Sequence, residues 1–242
     1  MITTKSYSIS YQKINELSHL GKSLPPRVFN NSKYFKSVKD LFWRITSLEE
    51  KYKTLMEKIK DSEMRADYLI GIRDRRGLKA LNERLSKGQS GFSSTSYGSN
   101  GITVNFGSKK IDTVLQDYIT RYSELLETLK YLIADIYNDP LGERDSFNAF
   151  IAKNTTRMKN DFDLSYLTDF NKYLWNEQKH HSDISVTPII YKPDETVMPK
   201  LRAEGRFRKV DITIFTEESL GNMINLLRFI HNYCQSNSQN KS

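Results

Sequence analysis

Apolar residues recur at spacings of three and four over much of this chain. Val38, Leu41, Phe42, Ile45, Leu48, Tyr52, Leu55, Met56 and Ile59 form one such stripe between Lys- and Glu-rich flanks, which predicts a long helix from Ser37 to about Lys60. A continuation from Ala66 to Leu85 is expected, with Gly71 and Gly77 as weak points, since glycine costs about 1 kcal/mol relative to alanine inside a helix. The longest stripe is Ile111, Val114, Leu115, Tyr118, Ile119, Tyr122, Leu125, Leu126, Leu129, Leu132, Ile133 and Ile136; it predicts a helix from Ile111 to Tyr137, ended by Asn138-Asp139-Pro140-Leu141-Gly142. Its tyrosines read as core rather than as a base-stacking platform. Further helices are expected over Arg144 to Met158 and from Leu164 to His181 or Asp183. Thr216, followed by Glu217 and Glu218, reads as the N-cap of a last helix through Leu220, Met223, Ile224, Leu227, Ile230 and Tyr233.

Three stretches break this pattern. Residues 1–35, with Leu24-Pro25-Pro26-Arg27, read as an irregular lead-in carrying a short helix around Ile14 to Leu20. Residues 86–110 are Ser/Gly-rich and predict a flexible loop or small hairpin, where only Ile102 to Phe106 alternates like a strand; Gly98, Gly101 and Gly107 match no phosphate-cradling spacing. Val186 to Tyr191 and Lys209 to Phe215 predict two strands, joined by a long basic loop with Pro193, Pro199 and Gly205. The fold expected is therefore mainly α: one domain over 36–235, a helical bundle with a small β-hairpin at 186–215 inserted before the C-terminal helix, and a polar, frayed tail over 236–242.

Composition adds a bias toward anionic partners. The 242 residues carry a formal net charge of +8 and a pI near 9.3. Arg73, Arg75 and Arg76 form one basic cluster, and Lys200, Arg202, Arg206, Arg208 and Lys209 another. Mean hydropathy is −0.61, yet 14 Tyr and 12 Phe supply the apolar mass of a folded protein. The single Cys234 rules out an internal disulfide framework and a cysteine zinc site, so a reducing compartment is expected. Neither a secretory leader nor a membrane span is signalled, and the expected location is the cytoplasm.

Candidate chemistry concentrates on the helix ending in Tyr173-Leu174-Trp175-Asn176-Glu177-Gln178-Lys179-His180-His181. At 100° per residue, Lys172, Asn176, Lys179 and His180 share about a third of the circumference, opposite Leu167, Phe170 and Leu174. An imidazole among amide and ammonium donors suits proton transfer or grip on a phosphate. The plainer reading of His180 is a surface histidine favoured by the helix C-terminal dipole. His181 points about 100° further round, so a metal site from His180, His181 and Asp183 is disfavoured; no metal or cofactor is expected. His19 and His231 are isolated in sequence.

The helical bundle, the polar helix with Asn176-x-x-x-His180, the small β excursion and the closing helix together resemble the HEPN superfamily over roughly residues 35–235. That family's motif runs Arg, a polar residue often Asn, three variable residues, then His. Trp175 stands where the arginine belongs. The resemblance implies metal-independent RNA cleavage at a site composed across a homodimer, of the kind found in toxin or phage-defence systems. His180 would handle the proton, Asn176 would fill the polar position, and Lys172 and Lys179 would stand in for the missing guanidinium as point charges, without its bidentate geometry. Lys200, Arg202, Arg206 and Arg208 would hold RNA phosphates. The rival expectation is a non-catalytic helical scaffold or protein-interaction subunit of the same shape.

Overall fold

A computed structural model of the protein describes residues 10–24, 41–60, 94–98, 101–105, 108–137, 185–187, 189–191, 202–204 and 209–239. Four helices make up nearly all of the described packing, so the protein is mainly α. They are α1 (Tyr11–Ser23), α2 (41–60), α3 (Ser108–Tyr137) and α4 (Ile212–Gln239). Short strands lie between them: β1 (Ser94–Gly98), β2 (Gly101–Asn105), β3 (Ser185–Thr187), β4 (Ile189–Tyr191), β5 (Arg202–Glu204) and β6 (Lys209–Asp211). They pair antiparallel in two sheets, in the orders β1-β2-β4 and β3-β5-β6.

The stripes visible in the sequence are the faces that meet. Leu41, Ile45, Leu48, Tyr52, Leu55 and Ile59 of α2 are buried, as are Leu115, Tyr118, Ile119, Tyr122, Leu125, Leu129 and Ile133 of α3. Each fully buried large side chain contributes about 1.5–3 kcal/mol over its exposed form, so this interior dominates the stability of the bundle. Two rim contacts show that α2 and α3 run antiparallel. Arg44 Nη1 donates to the Glu124 carbonyl at 3.4 Å and Lys51 Nζ to Asp117 Oδ2 at 2.7 Å, a step of seven residues in opposite directions along the two helices.

The helix expected around Ile14 to Leu20 spans Tyr11–Ser23 and packs along α4 through Ile14, Leu17 and Leu20, with Arg228 Nε donating to Glu16 Oε1 at 2.6 Å. Against α2 it approaches closely at Gly21, where an added Cβ would lie 2.3 Å from Ile45 Cδ1.

The start of α4 corrects the sequence reading. Lys209–Asp211 is strand, but Ile212 to Phe215 is helix, so Thr216 is no N-cap: it lies in the helix interior and its Oγ1 donates to the Ile212 carbonyl at 2.6 Å. The segment satisfies two periods at once. Ile212, Phe215, Thr216, Ser219 and Leu220 are all buried at spacings of 3, 4, 7 and 8, and burial of that stripe wins over period-two alternation. Ile214, the extra apolar residue of the alternating pattern, is left 48% exposed as a result. The helix also runs to Gln239, into the segment read as a polar tail.

The continuation over 66–85 and the helices expected over 144–158 and 164–183 lie outside the described residues. No helix among the described residues is long and apolar enough to cross a membrane.

Candidate functional site

The polar centre of the described bundle is Glu217. It stands on the first turns of α4, half-buried, and both carboxylate oxygens are engaged. The Tyr52 hydroxyl, from the middle of α2, donates to Oε1. Lys13 Nζ, from α1, donates to Oε2 at 2.7 Å and to the Glu217 carbonyl at 3.3 Å. The Ser10 N–H closes the set by donating to the Tyr52 oxygen at 3.4 Å.

One turn along α4, a second buried phenol meets the same helix. Tyr118 of α3 shares a 2.6 Å hydrogen bond with Ser219 Oγ, and Ser219 Oγ reaches the Thr216 carbonyl at 2.9 Å. With Ser219 donating to that carbonyl, Tyr118 is the donor to Ser219. The ring of Phe215 stands edge-on to Tyr118, with centroids 6.4 Å apart. Two tyrosines from two helices are thus tied to one turn of a third, and α1 is tied in through Lys13.

Burial decides what these groups can do. It is the main reason that the Tyr52 hydroxyl is pushed well above the ordinary phenol value, with the negative Glu217 adding to it. Burial does the same to Tyr118, only partly offset by the bond to Ser219. Both phenols stay protonated at neutral pH. With both Glu217 oxygens engaged as well, the cluster works as a structural knot between four helices.

A second buried carboxyl, Glu49 on α2, faces α1. Burial raises its pKa, and Lys53, the Ser18 hydroxyl and Lys22 pull the other way less strongly. Its Oε1 has no hydrogen-bond partner. Among the described residues no group of three or more His, Cys, Asp or Glu side chains is placed to hold a metal ion.

Of the residues singled out in the sequence, Lys172, Asn176, Trp175, Lys179, His180, His181 and Asp183 lie outside the described residues, as do Lys200, Arg206 and Arg208; Arg202 is the first residue of β5. His19 is exposed on α1, and His231 on α4 has Nε2 3.2 Å from Gln235 Nε2. Sequence reasoning missed Glu217 as a centre, treating it as a first-turn acid. A signal was nevertheless present: Tyr52 and Tyr118 sit inside otherwise apolar stripes, and a buried phenol needs a hydrogen-bond partner.

No protein-family model, no curated protein and no solved structure matches this chain.

Proposed function

We propose that this protein binds RNA and cleaves it without a metal, as a HEPN-like helical protein of the toxin or phage-defence type. The distribution of charge carries the reading. The four described helices hold twelve Lys and Arg against eleven Asp and Glu, a net +1, so +7 of the formal +8 belongs to the rest of the sequence. A near-neutral bundle knotted at Glu217 is a frame, and the positive potential that would hold a polyanion resides in the segments it carries.

In this reading the β-hairpin before α4 carries Lys200, Arg202, Arg206 and Arg208 against RNA phosphates. His180 transfers the proton of the ribose 2′-hydroxyl or of the leaving oxygen, Asn176 orients the reacting groups, and Lys172 and Lys179 offset the charge developing on phosphate. Two copies complete the site. The second reading, a non-catalytic scaffold or partner-binding subunit, is favoured by one observation: Trp175 occupies the position where the motif has arginine.

The test uses purified full-length protein with single-stranded and structured RNAs. His180→Ala is expected to abolish cleavage with an unchanged far-UV spectrum, and Asn176→Ala to slow it. Neutralising Lys200, Arg202, Arg206 and Arg208 is expected to weaken binding and flatten its salt dependence, by about 0.7 in log–log slope for each phosphate of a single strand that is no longer neutralised. RNA binding without cleavage leaves the scaffold reading in place of the nuclease, and absence of binding overturns both RNA roles.

A further inference from the structure

Trp43 on α2 is 65% exposed, the most exposed large apolar side chain among the described residues. It is not part of an apolar face. The positions that continue its side of the helix are Ser47, Glu50 and Thr54, so the indole is an aromatic island on polar surface, unlike the broad apolar patch a protein partner would cover.

Its immediate neighbours are cationic or aromatic. The Phe42 ring stands edge-on to the indole, with centroids 6.1 Å apart, and Lys22 Nζ of α1 lies 5.6 Å from the Phe42 centroid. Arg44, next along the helix and exposed, is steadied by its 3.4 Å bond to the Glu124 carbonyl. Of the nearby carboxylates, Glu124 is engaged by Arg121 at 2.7 Å and Glu49 is buried. α2 is also the most basic of the four helices, with five Lys and Arg against three Glu.

We propose that Trp43 is a stacking platform for a base of single-stranded RNA, with Lys22 and Arg44 taking the flanking phosphates. The proposal rests on the RNA-binding reading above. An exposed indole offers a π-face to any base, so the contact would be tolerant of sequence, and the cations beside it hold the backbone where stacking becomes possible. Duplex RNA keeps its bases stacked on each other and gains nothing from the indole.

The experiment measures binding of a labelled oligouridylate and of an RNA duplex to the full chain by fluorescence anisotropy. Wild type, Trp43→Ala and Trp43→Phe are compared. Trp43→Ala is expected to weaken oligouridylate binding about tenfold, near the low end of what one stacked base contributes. Trp43→Phe should retain most of the affinity, since a ring remains. The slope of log Kd against log salt should be the same in all three, because no charge is removed, and duplex affinity should not move. If wild type and Trp43→Ala bind oligouridylate equally, the platform is overturned while the RNA-binding reading stands. If no variant binds any RNA, that reading falls and takes the platform with it. If Trp43→Ala instead alters self-association in sedimentation with RNA affinity unchanged, the indole is a protein contact and the platform is overturned.

Discussion

Removing the Glu217 carboxylate should cost far more when Tyr52 is present than when its hydroxyl has been deleted. Tyr52 is fully buried, and apart from the weak 3.4 Å donation it receives from Ser10 N–H, its hydroxyl has only Glu217 to donate to. Glu217→Ala would orphan that donor. A lost hydrogen bond to a charged acceptor costs about 1.5–3 kcal/mol. The Lys13 ion pair adds less than about 1 kcal/mol, because both partners reach solvent, Lys13 at 37% and Glu217 at 28%. Glu217→Ala is therefore expected to destabilise by about 2–3 kcal/mol, and Tyr52→Phe by about 1 kcal/mol, since the carboxylate left behind keeps Lys13 and water. In the Tyr52→Phe background, Glu217→Ala should cost only the ion-pair share, below about 1 kcal/mol, leaving a coupling of about 1–2 kcal/mol. Urea unfolding followed by far-UV circular dichroism gives all four corners of the cycle, with an unchanged m-value as the sign that only stability moved. Repeating it in 0.5 M salt separates the two contributions, because the exposed ion pair is screened and the buried hydrogen bond is not. Equal costs for Glu217→Ala in both backgrounds would refute the knot.

Three further outcomes follow from the same packing. Tyr52 and Tyr118 are held protonated by burial, so their folded pKa values lie above the unfolded value of about 10; the stability this supplies is complete below that value and lost as pH rises. Above pH about 10 stability should fall by about 1.4 kcal/mol per pH unit for each phenol, and Tyr118→Phe should roughly halve the slope in pH-jump urea titrations; an unchanged slope would contradict the assignment. Glu49 has its pKa raised by burial, so it favours folding at pH below its unfolded value and opposes it once ionised. Glu49→Gln should therefore stabilise the protein at pH 7 by about 0.5–1 kcal/mol and lose that advantage near pH 4, as read from urea midpoints at the two pH values. Gly21→Ala sets a gain of about 1 kcal/mol in helix propensity against overpacking of about 1–3 kcal/mol on Ile45 Cδ1, for a net loss in thermal melts. Adding Ile45→Val removes that one carbon, so the pair should be more stable than the sum of its parts by about 1 kcal/mol.

Local features of this protein were legible from its residues: the existence, type and approximate ends of the helices over 41–60 and 108–137, and which of their faces are buried. A helix exposes its period within a few turns, so Leu48, Tyr52 and Leu55, or Leu115, Tyr118 and Tyr122, announce a buried face with no reference to the rest of the chain. The asymmetry of charge was legible in the same way, because a count needs no geometry. For the candidate site the sequence supplied residue types and spacing, Asn176 to His180 on one helix face, and the departure at Trp175. Which distant groups converge was not legible. Tyr52 and Glu217 are 165 positions apart and Lys13 and Glu217 are 204 apart, and no local pattern encodes a meeting over that distance. It took the packing of the helices to bring both phenols to their partners on one turn of α4. Packing also settled the segment from Ile212 to Phe215, whose residues satisfy strand and helix periods equally. There the choice fell to α3, because Tyr118 needs Phe215 beside its ring and Ser219 at its hydroxyl, and only a helix presents residues four apart on one face.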